Sequence, residues 1–149
     1  MKKFKFELES VLRLRRNQRE LKMQLLAEVV RQDRELLDLL TQVEAERGRQ
    51  IEELRELGKT GGVDVDASSS RRYYSVQLTS DMGQIERRRR LLAQQIDACR
   101  RELIRATQAV KSLEKVSEKR QIEFVNAQER RESLELEEAW RALHSGEAR

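Results

Sequence analysis

Apolar positions divide the chain into two helical stripes around one break. From Met82 onward, alternating steps of three and four visit Met82, Ile85, Arg89, Leu92, Ile96, Cys99, Leu103, Ala106, Val110 and Leu113, and only Arg89 is not apolar. A 3.5-residue spacing sustained this far keeps one narrow face turned toward a neighbouring helix, as in a coiled coil. Earlier in the chain, Leu14, Leu21, Leu25, Val29, Leu36, Leu40, Val43, Ile51 and Leu54 form a second stripe, widened by Leu26, Leu37 and Leu39. Its steps from Leu25 to Ile51 suit an eleven-residue repeat better than a heptad, which predicts little supercoiling there. Gly58, Gly61, Gly62 and Ser68-Ser69-Ser70, with Asp64 and Asp66 among them, separate the stripes and read as a loop. The expectation is a first helix over about 8–57, a loop over about 58–71 and a second helix over about 72–143.

A short connection between two such stripes favours antiparallel neighbours. The predicted fold is therefore all-α, a single antiparallel two-helix coiled-coil hairpin whose second helix is longer and overhangs the first. A turn centred near residue 64 would bring Val43 near Glu86, Leu25 near Ile104 and Leu14 near Lys115. The first helix would then run out near residue 121, where the seam changes character. Its next positions, Ser117, Arg120, Phe124, Ala127, Arg131, Leu134, Glu138 and Arg141, are mostly polar. The overhang, about 30 Å long at 1.5 Å per residue, carries Leu136, Trp140 and Leu143 at spacings of 4 and 3. It reads either as a fraying terminal helix or as a docking surface for another protein. Phe4 and Phe6 are placed to brace its root near Phe124. Gly48 and Gly83 fall almost opposite each other, which predicts either a soft point or a close helix contact.

Composition narrows the class. Of 149 residues, 39% are charged and 4% aromatic, and there is no proline, which suits an elongated helical protein better than a compact globule. No apolar run is long enough to span a bilayer. The opening Met1-Lys2-Lys3-Phe4-Lys5-Phe6-Glu7 is not that of a secretory signal. One cysteine, Cys99, excludes an internal disulfide and suits a reducing cytoplasm. Thirty-one basic against twenty-seven acidic residues give a net charge of +4, with the signs interleaved along most of the chain. The ends differ: residues 1–22 hold eight basic and three acidic groups, whereas residues 132–149 hold two and five.

Catalytic constellations are not evident. His144 is the only histidine and stands in the tail, without partners for a metal site or a triad. Cys99 occupies a seam position, where cysteine behaves as a small hydrophobe. Gly58-Lys59-Thr60 matches the end of a phosphate-binding loop, but Glu53 stands where that motif needs glycine, and a helix precedes it instead of a strand. No cofactor or metal is expected. Arg87-Arg88-Arg89-Arg90 is a true basic run, yet it lies inside the seam register, points around the helix and has no interleaved aromatics for base stacking. A solvated charge run is the better reading, and no nucleic-acid partner is expected.

Both ends resemble the flagellar export protein FliJ family. Phe4-Lys5-Phe6-Glu7-Leu8-Glu9-Ser10-Val11-Leu12-Arg13-Leu14-Arg15 is close to that family's opening "F-x-F-x-L-E-x-V-L-x-x-R". Arg130-Arg131-Glu132 followed by Leu136-Glu137-Glu138-Ala139 is similar to its "R-x-E … L-D-E-x" ending, with Glu137 in place of the usual Asp. Tyr74, Leu78 and Met82 keep the four-residue spacing common behind the loop. The resemblance implies a non-enzymatic, stalk-like coiled coil of the flagellar type III export apparatus, cytoplasmic and peripherally associated with the inner membrane. It implies docking at the hexameric export ATPase, promotion of ring formation, and contacts with the membrane-embedded export gate and with export chaperones. By this resemblance the ATPase end comprises Val11, Leu12, Arg13, Glu132, Leu136 and Trp140. The gate face comprises Tyr74, Leu78 and Met82, with Leu40 and Val43 opposite; Arg47 and Gln50 stand where relatives often carry aromatics. The competing readings are the equivalent stalk of a virulence type III secretion system, a generic structural coiled coil, and a basic nucleic-acid-binding helical protein.

Overall fold

The computed structural model describes residues 2–59, 61 and 64–146, and among these the only regular elements are two helices, α1 over Glu9–Lys59 and α2 over Val65–Ser145. They pair as the predicted all-α hairpin, with 51 residues in α1 and 81 in α2. Contacts divide the chain into two compact units, one over Leu21–Leu103 and one combining Met1–Glu20 with Ile104–Arg149.

The turn is tighter than expected. Gly58 and Lys59 complete α1, and α2 starts at Val65, seven residues before the predicted 72. Asp64 explains the early start. Its Oδ1 accepts from the backbone N–H of Asp66 at 3.1 Å and of Ala67 at 3.4 Å, while its carbonyl accepts from Ser68 N–H at 3.0 Å. That is an N-cap, and it satisfies donors that open every helix. The three serines read as breakers thus follow a capped helix start. Gly61, at φ 71°, supplies the left-handed conformation in the reversal; Thr60 and Gly62 lie outside the described residues. The Gly58-Lys59 fragment ends a helix, with Lys59 paired to Glu56 at 3.4 Å.

In the Leu21–Leu103 unit, all seam positions expected of α2 face inward. Leu92 and Ile85 are buried, and Met82, Arg89, Ile96, Cys99 and Leu103 are half-buried. The α1 stripe needs correction. Leu14, Leu21 and Leu25 are 54%, 63% and 50% exposed. Half-buried Val30, Glu46 and the expected Ile51 flank the continuous inward line of α1 in this unit, which runs through Lys22, Leu26, Val29, Asp33, Leu36, Leu40, Val43, Arg47, Gln50, Leu54 and Leu57. These follow unbroken steps of four and three, a strict heptad in place of the expected eleven-residue pattern. Four of the eleven are polar or charged at a seam position, so a search guided by leucines drifts onto the outer face.

One of these polar positions answers the single charge in the α2 seam. Asp33 meets Arg89 in a two-pronged pair, Nε to Oδ1 at 3.0 Å and Nη2 to Oδ2 at 3.3 Å, with both side chains mostly covered. The hydrogen bond from Arg89 to Asp33 holds the guanidinium pKa above its ordinary value, against the opposing effect of burial. Lys22–Glu102 at 3.9 Å and Glu53–Arg71 continue the same register. Asp33 therefore lies opposite Arg89 instead of a residue near 96, because the reversal is centred near residue 62. Leu25 and Ile104, expected as partners, are both exposed.

Gly48 and Gly83 do not mark a close helix contact. A Cβ at Gly48 would meet nothing within 4 Å, and one at Gly83 only Arg87 Nη1 at 3.8 Å. Both sit inside helices, so alanine at each should raise stability by about 1 kcal/mol, and the double variant should gain about 2 kcal/mol in denaturant unfolding. The seam register is tested by two adjacent leucines. Leu92 is 7% exposed and Leu91 61%. Leu92→Ala should cost about 2–5 kcal/mol, whereas Leu91→Ala should stay within about 0.5 kcal/mol. Similar losses from both would overturn the seam assignment.

Candidate docking surfaces

The terminal unit is held at its base by the N-terminal segment. Residues 2–6 precede α1 and lie along α2. Phe4 meets Phe124 with ring centroids 5.6 Å apart and planes tilted by 50°, a favourable aromatic geometry. Phe6 lies under the Arg120 guanidinium, 5.8 Å from the ring centroid, and Arg120 also pairs with Glu7 at 3.6 Å. Gln128 Nε2 donates to the Lys2 carbonyl at 3.2 Å. At the start of α1, Glu9 N–H donates to the Phe6 carbonyl at 3.2 Å. The predicted bracing by Phe4 is present; Phe6 achieves it through Arg120. Leu12 and Val110, 3% and 0% exposed, form the core beneath, and Arg16–Glu114 at 3.3 Å flanks it.

Past Gln128 no described residue outside the helix covers it. Every residue over 129–146 is exposed, yet α2 stays helical to Ser145. Trp140 is 61% exposed, Leu136 72% and Leu143 73%. His144 stacks on Trp140 at a centroid distance of 4.2 Å, and its Nδ1 lies 2.9 Å from the Trp140 carbonyl. A tryptophan with apolar neighbours on an uncovered helix face is the composition that dominates binding hot spots.

The residues expected at the ATPase end fall into two groups. Val11, Arg13, Glu132, Leu136 and Trp140 are exposed. Leu12 is not: it packs inward, so it cannot touch a partner while the hairpin is closed and instead supports the surface from below. The turn-proximal set divides similarly. Leu40 and Leu78 are buried, at 8% and 6%, and Val43 and Met82 are half-buried, with Arg47 Nη1 3.9 Å from the Met82 sulfur. Only Tyr74 of the five is exposed, and Tyr73 and Val76 beside it are more so, at 74% and 67%. The adjacent tyrosines were the available signal, because two large aromatics in succession cannot both enter a narrow seam.

Among the described residues, no group of three or more His, Cys, Asp or Glu side chains is placed to hold a metal ion. Cys99 is half-buried in the seam. No described helix is long and apolar enough to cross a membrane.

Fold and surfaces together describe a helical hairpin with apolar helix faces left exposed. The family described as flagellar FliJ protein matches residues 4–149, nearly the whole chain, so the chain belongs to the FliJ family and is a component of flagellar protein export. No curated protein and no solved structure matches it.

The strap at the base gives a direct test. Phe4→Ala should cost about 1 kcal/mol, the scale of an aromatic pair, and should speed amide exchange in the first turns of α1 while leaving exchange around Leu92 unchanged. Equal acceleration at both places would show that Phe4 belongs to the seam.

Proposed function

We propose that this chain is a non-enzymatic, cytoplasmic coiled coil that docks into the hexameric flagellar export ATPase through its terminal end, promotes assembly and activity of that ring, and contacts the export gate and export chaperones. The observation that carries this reading is the bare, apolar and ordered end of α2, with Leu136, Trp140 and Leu143 uncovered above a braced root. An unpartnered amphipathic helix end is suited to entering a groove or ring opening formed by other subunits. Family membership supports the export setting. Val11, Arg13 and Glu132 supply exposed contacts around the same end, and Leu12 keeps α1 seated behind them. Toward the turn, Tyr74 is the exposed member of the gate-directed set, and Leu40, Val43, Leu78 and Met82 hold the helix that presents it.

The test uses the intact chain and the purified export ATPase. Trp140→Ala should weaken ATPase binding by about thirtyfold, the scale of a hot-spot residue, and reduce stimulation of ATP hydrolysis and ring formation together. Leu134→Ala is the control, because Leu134 is 57% exposed on the opposite side of the same helix and should leave both readings unchanged. Equal effects of the two substitutions, or none from Trp140→Ala, would overturn the docking reading.

A further inference from the structure

We propose that the uncovered face of α2 is built to receive a cationic amphipathic helix, an inference that rests on the docking reading and adds the chemistry of the partner. Ile122, Val125, Leu136, Trp140 and Leu143 share one side of the helix and are all exposed. The row does not run unbroken. Steps of four and three from Val125 reach Glu129 and Glu132 before Leu136, so two carboxylates stand within the apolar row. Both are exposed, and neither has a hydrogen bond or ion pair among the described residues. Glu137, by contrast, is paired with Arg141 at 4.0 Å.

A wholly apolar partner helix would cover Glu129 and Glu132 without compensation, which is costly for a charge. A helix with lysine or arginine between its apolar residues covers the row and pairs both carboxylates at once. A second copy of this chain fits less well. Antiparallel pairing that sets Ile122 against Leu143 places Glu129 against Leu136 and brings the Glu132 of one copy beside the Glu132 of the other, like charge against like. An anionic lipid surface is disfavoured by the same two carboxylates.

Trp140 is the sole tryptophan of the chain and reports directly on this face. The probe is a synthetic helical peptide of leucine and lysine with one apolar row, titrated into the full chain, beside a counterpart carrying glutamate for lysine. The lysine peptide should shift Trp140 emission to the blue, with affinity that falls as salt rises. Glu129→Gln with Glu132→Gln should weaken it about tenfold at low salt with helical content unchanged. The proposal is overturned if the glutamate peptide binds equally, if the double variant binds as before, if phosphatidylglycerol vesicles produce the larger shift, or if the shift tracks self-association in measured molar mass. The same double variant, assayed against the export ATPase, separates this proposal from the one beneath it. Loss of docking in Trp140→Ala but not in the double variant leaves docking standing and removes the cationic partner. Peptide binding that needs the two glutamates, beside an ATPase indifferent to Trp140, keeps the face and removes the ATPase as its occupant.

Discussion

Everything in this hairpin depends on a thin line of side chains interlocking between two helices. A two-helix seam has no second layer behind it, so each inward residue is covered from one side only. That is why, among the described residues, just seven hydrophobic ones are buried, Leu12, Val29, Leu92 and Val110 among them, while their seam neighbours remain half-exposed. Burying a large aliphatic side chain fully is worth about 1.5–3 kcal/mol, and half-buried ones contribute less. Such a seam holds by repetition along its length, so the heptad must be kept strictly even where a polar residue occupies it.

The Asp33–Arg89 pair shows what that strictness is for. Leucines slide past one another with little penalty, because one heptad packs much like the next. A charge in each seam does not slide. If α1 shifted by a heptad, Asp33 would leave Arg89 and both would lie uncompensated between apolar neighbours. A polar position that fixes register at some cost in stability is the best-attested use of buried polar groups in coiled coils. With the Asp64 cap, which fixes where α2 starts, the pair accounts for the register throughout the Leu21–Leu103 unit.

How far the sequence could be read follows from the same features. The α2 seam was legible because nine of its ten positions are apolar, and the hairpin followed from one break between two stripes. The α1 seam was not, because Lys22, Asp33, Arg47 and Gln50 occupy inward positions while Leu14, Leu21 and Leu25 stand outside. Leucine content pointed one way and periodicity the other, and packing follows periodicity. Helix two began early for a comparable reason: serines mark a loop by composition, but a capping aspartate just ahead of them overrides that tendency. The uncovered face of the tail was legible, since spacing alone puts Leu136, Trp140 and Leu143 together and all three are exposed. The family resemblance places Leu12, Leu40 and Leu78 on partner surfaces, whereas packing buries all three in the seam.

The same constraint explains why the tail is available at all. A two-helix seam can cover a helix only where its partner lies, and the described N-terminal residues meet α2 as far along as Gln128. Beyond that point α2 stays helical without tertiary burial, in a stretch rich in glutamate, leucine and arginine and free of proline and of internal glycine. Isolated helices of this length are marginal in water, so the brace at Phe4, Phe124 and Arg120 matters: helix propagated outward from a fixed turn does not bear the cost of nucleation. The exposed row is thereby held helical in the free chain, so an association through it would lose less ordering entropy. Glu129 and Glu132 interrupt the row about two to three turns before Trp140, which divides the exposed apolar surface into smaller patches.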